Sequence, residues 1–290
     1  MTAVSPAQVL SRAGRDKHIV NTLIVERAPK LSATPVWPIL RPLLYAMLDY
    51  AKARRMADAI APMPGREALE YVSKLLALKV AAQGLERIPR AGRLVVVCNH
   101  PTGIADGVAV YDALKAIRPD ICFYANSDAH RIAPRLEEVL IPVEWLEAKR
   151  TRERTRLTLQ RTHEALDAER CLVIFPSGRL ARRAADGQLC DPPWAPTAVS
   201  LARRQGAPIT PLHVAGPWSA LFHFFNRFSP ELRDVTLFHE LLNKQGREFS
   251  LIVGRPIPPQ ALAGEAAEVV ERLKHHVERV LPRDPDQAFA

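Results

Sequence analysis

The run Asn99-His100-Pro101-Thr102-Gly103-Ile104-Ala105-Asp106 places an imidazole and a carboxylate on one short segment, with five residues between them. Moving an acyl group onto a hydroxyl or an amine needs a base that works near neutral pH, a partner that fixes the base's tautomer, and donors for the developing oxyanion. Histidine suits the first role because its unperturbed pKa is about 6.5. Asp106 is spaced to accept a hydrogen bond from one ring nitrogen of His100, leaving the other to take a proton. Gly103 and Gly107 allow the tight turns that would fold the intervening residues back. A His and an Asp at such a spacing are weak evidence alone; position gives the pair its weight. It follows Leu94-Val95-Val96-Val97-Cys98, an unbroken apolar run typical of a strand buried on both faces. Ligands of α/β sheets bind beyond the carboxyl ends of such strands.

A second constellation, Phe175-Pro176-Ser177-Gly178-Arg179, also stands directly after an apolar run, Cys171-Leu172-Val173-Ile174-Phe175, with Arg182 and Arg183 close behind. A strand-to-loop turn with exposed N–H groups and arginines suits a phosphate or a carboxylate. The plainer alternative is a Pro-Gly turn with solvated arginines. Ser177 is not in a Gly-x-Ser-x-Gly elbow, so serine hydrolase chemistry fits poorly.

The elements that must position these residues follow from periodicity. Leu69, Val72, Leu76 and Val80 fall on one helical face, predicting a helix from Arg66 that Gly84 closes. Further helices are expected over 107–117, 151–168, 195–204 and 265–281. Strands are expected over 94–98, 121–125, 171–175, 208–214 and 251–253, with a short apolar segment ending at Val143. Strands separated by helical lengths imply an α/β fold with a largely parallel central sheet covered by helices. Residues 1–65, punctuated by proline, read as a helical N-terminal extension, and 66–290 as the α/β domain.

With 290 residues, 48% hydrophobic and 24% charged, the chain has the composition of an ordinary globular protein. Its formal net charge of +9 favours anionic partners. No RNA-binding aromatic signature, Cys/His finger spacing or helix-turn-helix is present, so nucleic acid is not expected and a membrane surface is. Cys98, Cys122, Cys171 and Cys190 are scattered, as buried thiols of a reducing compartment are, and no disulfide is expected. The first thirty residues lack a signal-peptide core. The stretch Val36 to Tyr50 is interrupted by Pro38, Arg41, Pro42 and Asp49, short of the roughly 20 apolar residues of a spanning helix. Its apolar cluster of Trp37, Ile39, Leu40, Leu43, Leu44, Tyr45 and Leu48 is followed by Lys52, Arg54 and Arg55. That pattern fits a lipid interface or packing on the chain's own domain. The charge run Lys149, Arg150, Arg152, Arg154 and Arg156 fits a solvated face or anionic lipid. Trp218, Phe222, Phe224, Phe225 and Phe228 fit an acyl groove or a core. His213 reads as a core residue, and the adjacent His275 and His276 cannot share a helical face as metal ligands would.

These ordered blocks resemble the phospholipid/glycerol acyltransferase family, whose members pair an Asn-His-x4-Asp motif with Phe-Pro-Glu-Gly after a later strand. The resemblance extends from about Leu85 to Pro259 and is strongest to a bacterial branch named for hemolysins and related to lyso-ornithine-lipid acyltransferases. Its blocks here run from Asn99 to Gly107, from Phe175 to Arg179, from Ala207 to Val214 and from Ser219 to Phe222. The resemblance implies a glycerolipid-acyltransferase-like fold, with His100 as general base and Asp106 as its partner. It places Phe175, Pro176, Ser177, Gly178 and Arg179 in the acceptor pocket and Pro211 in the block shaping the acyl-donor site. It also implies a head-group arginine near Arg150, Arg152 or Arg154; spacing does not choose among them, and Arg152 is the working assignment. Acyl-CoA or acyl carrier protein would be the co-substrate, with no metal or other cofactor, a lysolipid the acceptor, and membrane lipids the partners. The implied location is cytoplasmic, peripheral at the inner face of the cell membrane. Two departures bear on this. Five residues rather than four separate His100 from Asp106, so the loop must bulge, and Ser177 replaces the family's usual Glu, so glycerol 3-phosphate fits less well than another lysolipid. The rivals are a lipid-binding protein of the same fold without catalysis and a pore-forming toxin, the latter disfavoured by the motif and the missing secretion signal.

Overall fold

The computed structural model describes residues 17–144, 151–183, 187 and 189–290. Seven strands form the sheet: β1 (Lys79–Gln83), β2 (Leu94–Cys98), β3 (Cys122–Asn126), β4 (Leu140–Val143), β5 (Cys171–Ile174), β8 (Ile209–Ala215) and β9 (Glu248–Val253). Two short strands, β6 (Arg182–Arg183) and β7 (Leu189–Cys190), pair with each other outside it. The order is β1-β9-β8-β2-β5-β3-β4. Every pairing in it is parallel except β8 with β9, so the expected α/β fold with a largely parallel sheet is present.

β2 lies near the middle of the sheet, and its residues divide between two cores. Leu94, Val96 and Cys98 join the apolar cluster on one face, while Val95 and Val97 join the cluster on the other. All five are wholly buried, which is why the run shows no polar alternation. The first face is covered by the N-terminal helices, by Gly65–Leu76 and by Ile104–Leu114; the second by Arg152–Asp167, Thr197–Gln205 and Ala266–His275.

The N-terminal helices Ile19–Arg27, Trp37–Met47 and Tyr50–Ile60 contribute Val20, Leu23, Trp37, Leu44, Met56 and Ile60 to the cluster that holds Leu94 and Val96. Ion pairs of Arg27 with Asp128 and of Glu26 with Arg131, each at 2.7 Å, fasten the first of them to the segment after β3. The helix Trp37–Met47 divides its apolar residues: Trp37 and Leu44 are buried, whereas Ile39 (74% exposed) and Leu43 (68%) face outward with Val36 and Met47. No helix among the described residues is long and apolar enough to cross a membrane.

Three boundaries differ from expectation. The helix from Gly65 stops at Leu76, where Ala77 adopts a left-handed conformation (φ 43°) and its N–H bonds to Ser73 O. Val80, expected on that helix, lies on edge strand β1, where Val80 and Ala82 turn inward and Lys79, Ala81 and Gln83 outward. The helix expected from Gly107 begins at Ile104, because the Asp106 carboxylate accepts from N–H groups at the helix start. The last α-helix ends at His275 and continues as a π turn, His276–Val280; the Val277 carbonyl receives the His213 ring at 2.9 Å.

Candidate active site

β2, β5 and β8 are adjacent and parallel, so their carboxyl ends meet at one edge of the sheet. Asn99 extends the β2–β8 pairing with its side chain: Val214 N donates to Asn99 Oδ1 at 2.7 Å, and Asn99 Nδ2 donates to Val214 O at 2.9 Å. The chain then turns, and His100 Nδ1 lies 2.9 Å from Asp106 Oδ2. Asp106 is fully buried and the His100 side chain is 16% exposed. The same carboxylate accepts from Thr102 N (2.9 Å), Gly103 N (3.0 Å) and the Thr102 hydroxyl (2.5 Å). A carboxylate at a helix N-terminus also meets the positive end of the helix dipole. The extra residue in the loop is therefore absorbed: Gly103, at φ 97°, precedes the helix, and Asp106 reaches back over its first turn to the imidazole. An L-residue at position 103 would be strained in that conformation, and its Cβ would stand 3.3 Å from Leu180.

The second constellation packs directly on the first. The Phe175 ring tilts against the His100 ring with centroids 4.5 Å apart. Gly178 (φ 58°) closes a turn in which its N–H bonds to Phe175 O at 3.0 Å, and the Ser177 hydroxyl donates to Arg179 O at 2.9 Å. Phe175 and Pro176 are buried, Ser177 and Gly178 half-buried, and Arg179 and Arg182 exposed. Farther along this loop, Ala181 N donates to His100 O at 2.9 Å, and the Asp191 carboxylate accepts from His100 N at 3.1 Å. Burial pushes the Asp191 carboxyl up to about 6, against the opposing pull of His100 and the hydrogen bond from Trp194. Cys98 is wholly buried, and burial, with Asp106, Cys171 and Asp191 nearby, holds its thiol well above the ordinary range. Among the described residues, no three His, Cys, Asp or Glu side chains converge as a metal site.

The remaining candidates lie farther off. Pro211 sits inside β8 opposite Val97, three residues before His100 in β2, and its carbonyl accepts from Gly254 N at 2.8 Å. Arg152 is exposed at the start of the helix Arg152–Asp167. Arg154 is held by Glu144 at 2.7 Å, just beyond β4, a strand separated from β2 by β5 and β3. Lys149 and Arg150 lie outside the described residues. Of the aromatic set, Phe225 is buried, whereas Trp218, Phe224 and Phe228 are exposed. Asp191 and Trp194 carry little signal in the sequence, where the one local cue is the step from β7 into Asp191-Pro192-Pro193-Trp194, and the spacing of the motif does not show that Thr102 binds Asp106.

A buried carboxylate thus holds an imidazole at the carboxyl edge of a largely parallel sheet, the place where α/β proteins bind their ligands. The family described as Acyltransferase matches residues 22–280, and the chain belongs to it. A lyso-glycine lipid O-acyltransferase of Phocaeicola vulgatus is 28% identical over 206 residues, covering 68% of this chain and 70% of that protein. The corresponding protein of Bacteroides thetaiotaomicron is 24% identical over 202 residues, covering 68% and 72%. Among solved structures, the 1-acyl-sn-glycerophosphate (LPA) acyltransferase of Thermotoga maritima matches at 16% identity over 91% of this chain and 98% of that one, with a TM-score of 0.46.

Proposed function

We propose that the protein transfers a fatty acyl group from an acyl thioester, acyl-CoA or acyl carrier protein, to the hydroxyl of a lysolipid. The observation that carries this reading is the orientation of His100: Nδ1 is engaged by buried Asp106 at 2.9 Å, while Nε2 has no hydrogen-bond partner among the described residues. Nε2 takes the acceptor's proton as its oxygen attacks the thioester carbonyl. The tetrahedral intermediate collapses with cleavage of the C–S bond, and the imidazolium returns the proton to sulfur, giving an ester and a free thiol. Asp106 fixes the Nδ1–H tautomer and favours the transient imidazolium.

The turn Phe175–Arg179 lines the acceptor side, with Arg179 or Arg152 available to an anionic head group. Ser177 brings a neutral hydroxyl where the family's usual Glu would meet a polyol, and the relatives named for lyso-glycine lipids support a lysolipid acceptor, which we take to be of the lysophospholipid or lyso-ornithine-lipid type. The outward apolar face of Trp37–Met47, exposed Phe224 and Phe228, and the +9 charge support peripheral association with the inner face of the cell membrane. The rival of a lipid binder without catalysis rests on the longer His–Asp loop, which Gly103 accommodates, and on Ser177 in place of the usual Glu.

The test is mass spectrometry of lipids formed from a mixed lysolipid panel, with acyl-CoA and acyl carrier protein supplied separately. His100→Ala should lower the rate about 100- to 10,000-fold, as loss of a general base does. Wild-type transfer by folded His100→Ala would overturn the mechanism.

A further inference from the structure

The turn that carries His100 is gripped by a second buried carboxylate. Both oxygens of Asp191 lie 3.1 Å from His100 N, and Oδ2 also accepts from Trp194 Nε1 at 2.9 Å. Asp191 is itself held from behind, its amide donating to Glu278 Oε1 at 2.7 Å. Lys274 fixes Glu278 at 2.9 Å and donates to Cys190 Sγ at 3.1 Å. On the other side of His100, Ala181 N holds the carbonyl. The backbone of one residue is thus clamped at both polar atoms by the loop that follows β5.

A turn of this kind does not require a charge, because a neutral acceptor can serve an amide and an indole. A buried carboxylate is costly unless its charge is used. The groups facing it are His100 and Cys98 from the β2 segment, Glu278 and Lys274 from the last helix, and Cys190 and Trp194 from its own loop. Of these, His100 is the one whose charge rises during the proposed reaction.

Resting on the acyl-transfer reading, we propose that Asp191 is a positioning residue: its carboxylate fixes the His100 backbone, and so the reach of Nε2, and its charge favours the imidazolium formed as the acceptor loses its proton. Turnover then requires Asp191 ionised, so its protonation adds a step to the acid side of the kcat profile.

The experiment is the pH profile of kcat and KM for wild type, Asp191→Asn and Trp194→Phe, with cooperative urea unfolding as the check on folding. Asp191→Asn should lower kcat about 10- to 100-fold, the scale of a small misplacement of a catalytic group, with KM little changed and the acid limb less steep. Trp194→Phe keeps the charge and should keep the wild-type steepness of the acid limb with a smaller loss. Wild-type kcat in Asp191→Asn, or an equal loss in both variants with unchanged limb steepness, would overturn the proposal. A second readout does not depend on turnover: exchange of the His100 amide proton, slow in wild type, should quicken in Asp191→Asn. If wild type transfers no acyl group, the proposed function fails while amide exchange still tests the clamp. An unprotected His100 amide in wild type refutes the clamp.

Discussion

Asp106→Asn separates the two tasks of the buried carboxylate. Its Oδ2 accepts from His100 Nδ1, Thr102 N and Gly103 N at 2.9 to 3.0 Å, and Oδ1 from the Thr102 hydroxyl. With the amide oxygen of Asn at the Oδ2 position, all three N–H donors keep their acceptor, and the new NH2 meets a hydroxyl that rotates to accept it. The fold should therefore survive, while the imidazolium loses its counter-charge. Two charges about 4 Å apart at an effective dielectric of about 20 interact by about 4 kcal/mol. At about 1.4 kcal/mol per decade, kcat should fall about 1,000-fold. Asp106→Ala makes the contrast: Thr102 N and Gly103 N become buried donors without acceptors, at about 1–3 kcal/mol each, so stability falls as well. The assay is the initial rate of acylated lipid at saturating thioester and lysolipid, alongside urea unfolding of both variants. Folded Asp106→Asn within about threefold of wild-type kcat, a barrier change below about 1 kcal/mol, would refute Asp106 as charge partner.

Two further outcomes follow from burial and exposure. Alkylation of the native protein at pH 8 should modify Cys190 alone, because burial pushes Cys122 up to about 11 and Cys171 up to about 12 and seals Cys98; intact mass should show one adduct before urea and four after it, and a second native adduct would contradict the core. Leu43→Ser with Phe224→Ser, side chains 68% and 58% exposed, should leave unfolding unchanged but weaken binding to phosphatidylglycerol vesicles at least about tenfold, since each large apolar side chain buried in lipid contributes about 1.5–3 kcal/mol; vesicle binding like wild type would sink the docking reading.

What could be read in the chain is what local chemistry determines. β2 and β5 were legible because a parallel strand buried on both faces needs no polar alternation, and Val95-Val96-Val97 and Leu172-Val173-Ile174 have none. The dyad was legible because its two members lie on one segment. β1 was not, since Lys79-Val80-Ala81-Ala82-Gln83 satisfies a helical period as readily as an alternating one, and Ala77 gives no warning of its left-handed turn. Asp191 was not legible either: 91 residues separate it from His100, and only the path of the loop after β5 brings them together.

Strand order explains why the motifs differ in what they can contribute. Asn99-His100 and Phe175–Arg179 leave β2 and β5, which are hydrogen-bonded neighbours, so the His100 and Phe175 rings touch without further help. The start of the helix Arg152–Asp167 is tied by Arg154 to Glu144 beyond β4, three strands from β2 and so about 14 Å away at the usual strand spacing. A head group engaged by Arg152 must therefore span that distance along the carboxyl edge if its reacting hydroxyl is to reach His100. Arg179, on the loop of the neighbouring strand, faces no such requirement. Sequence spacing alone cannot separate these two arginines, because it says nothing of which strands become neighbours.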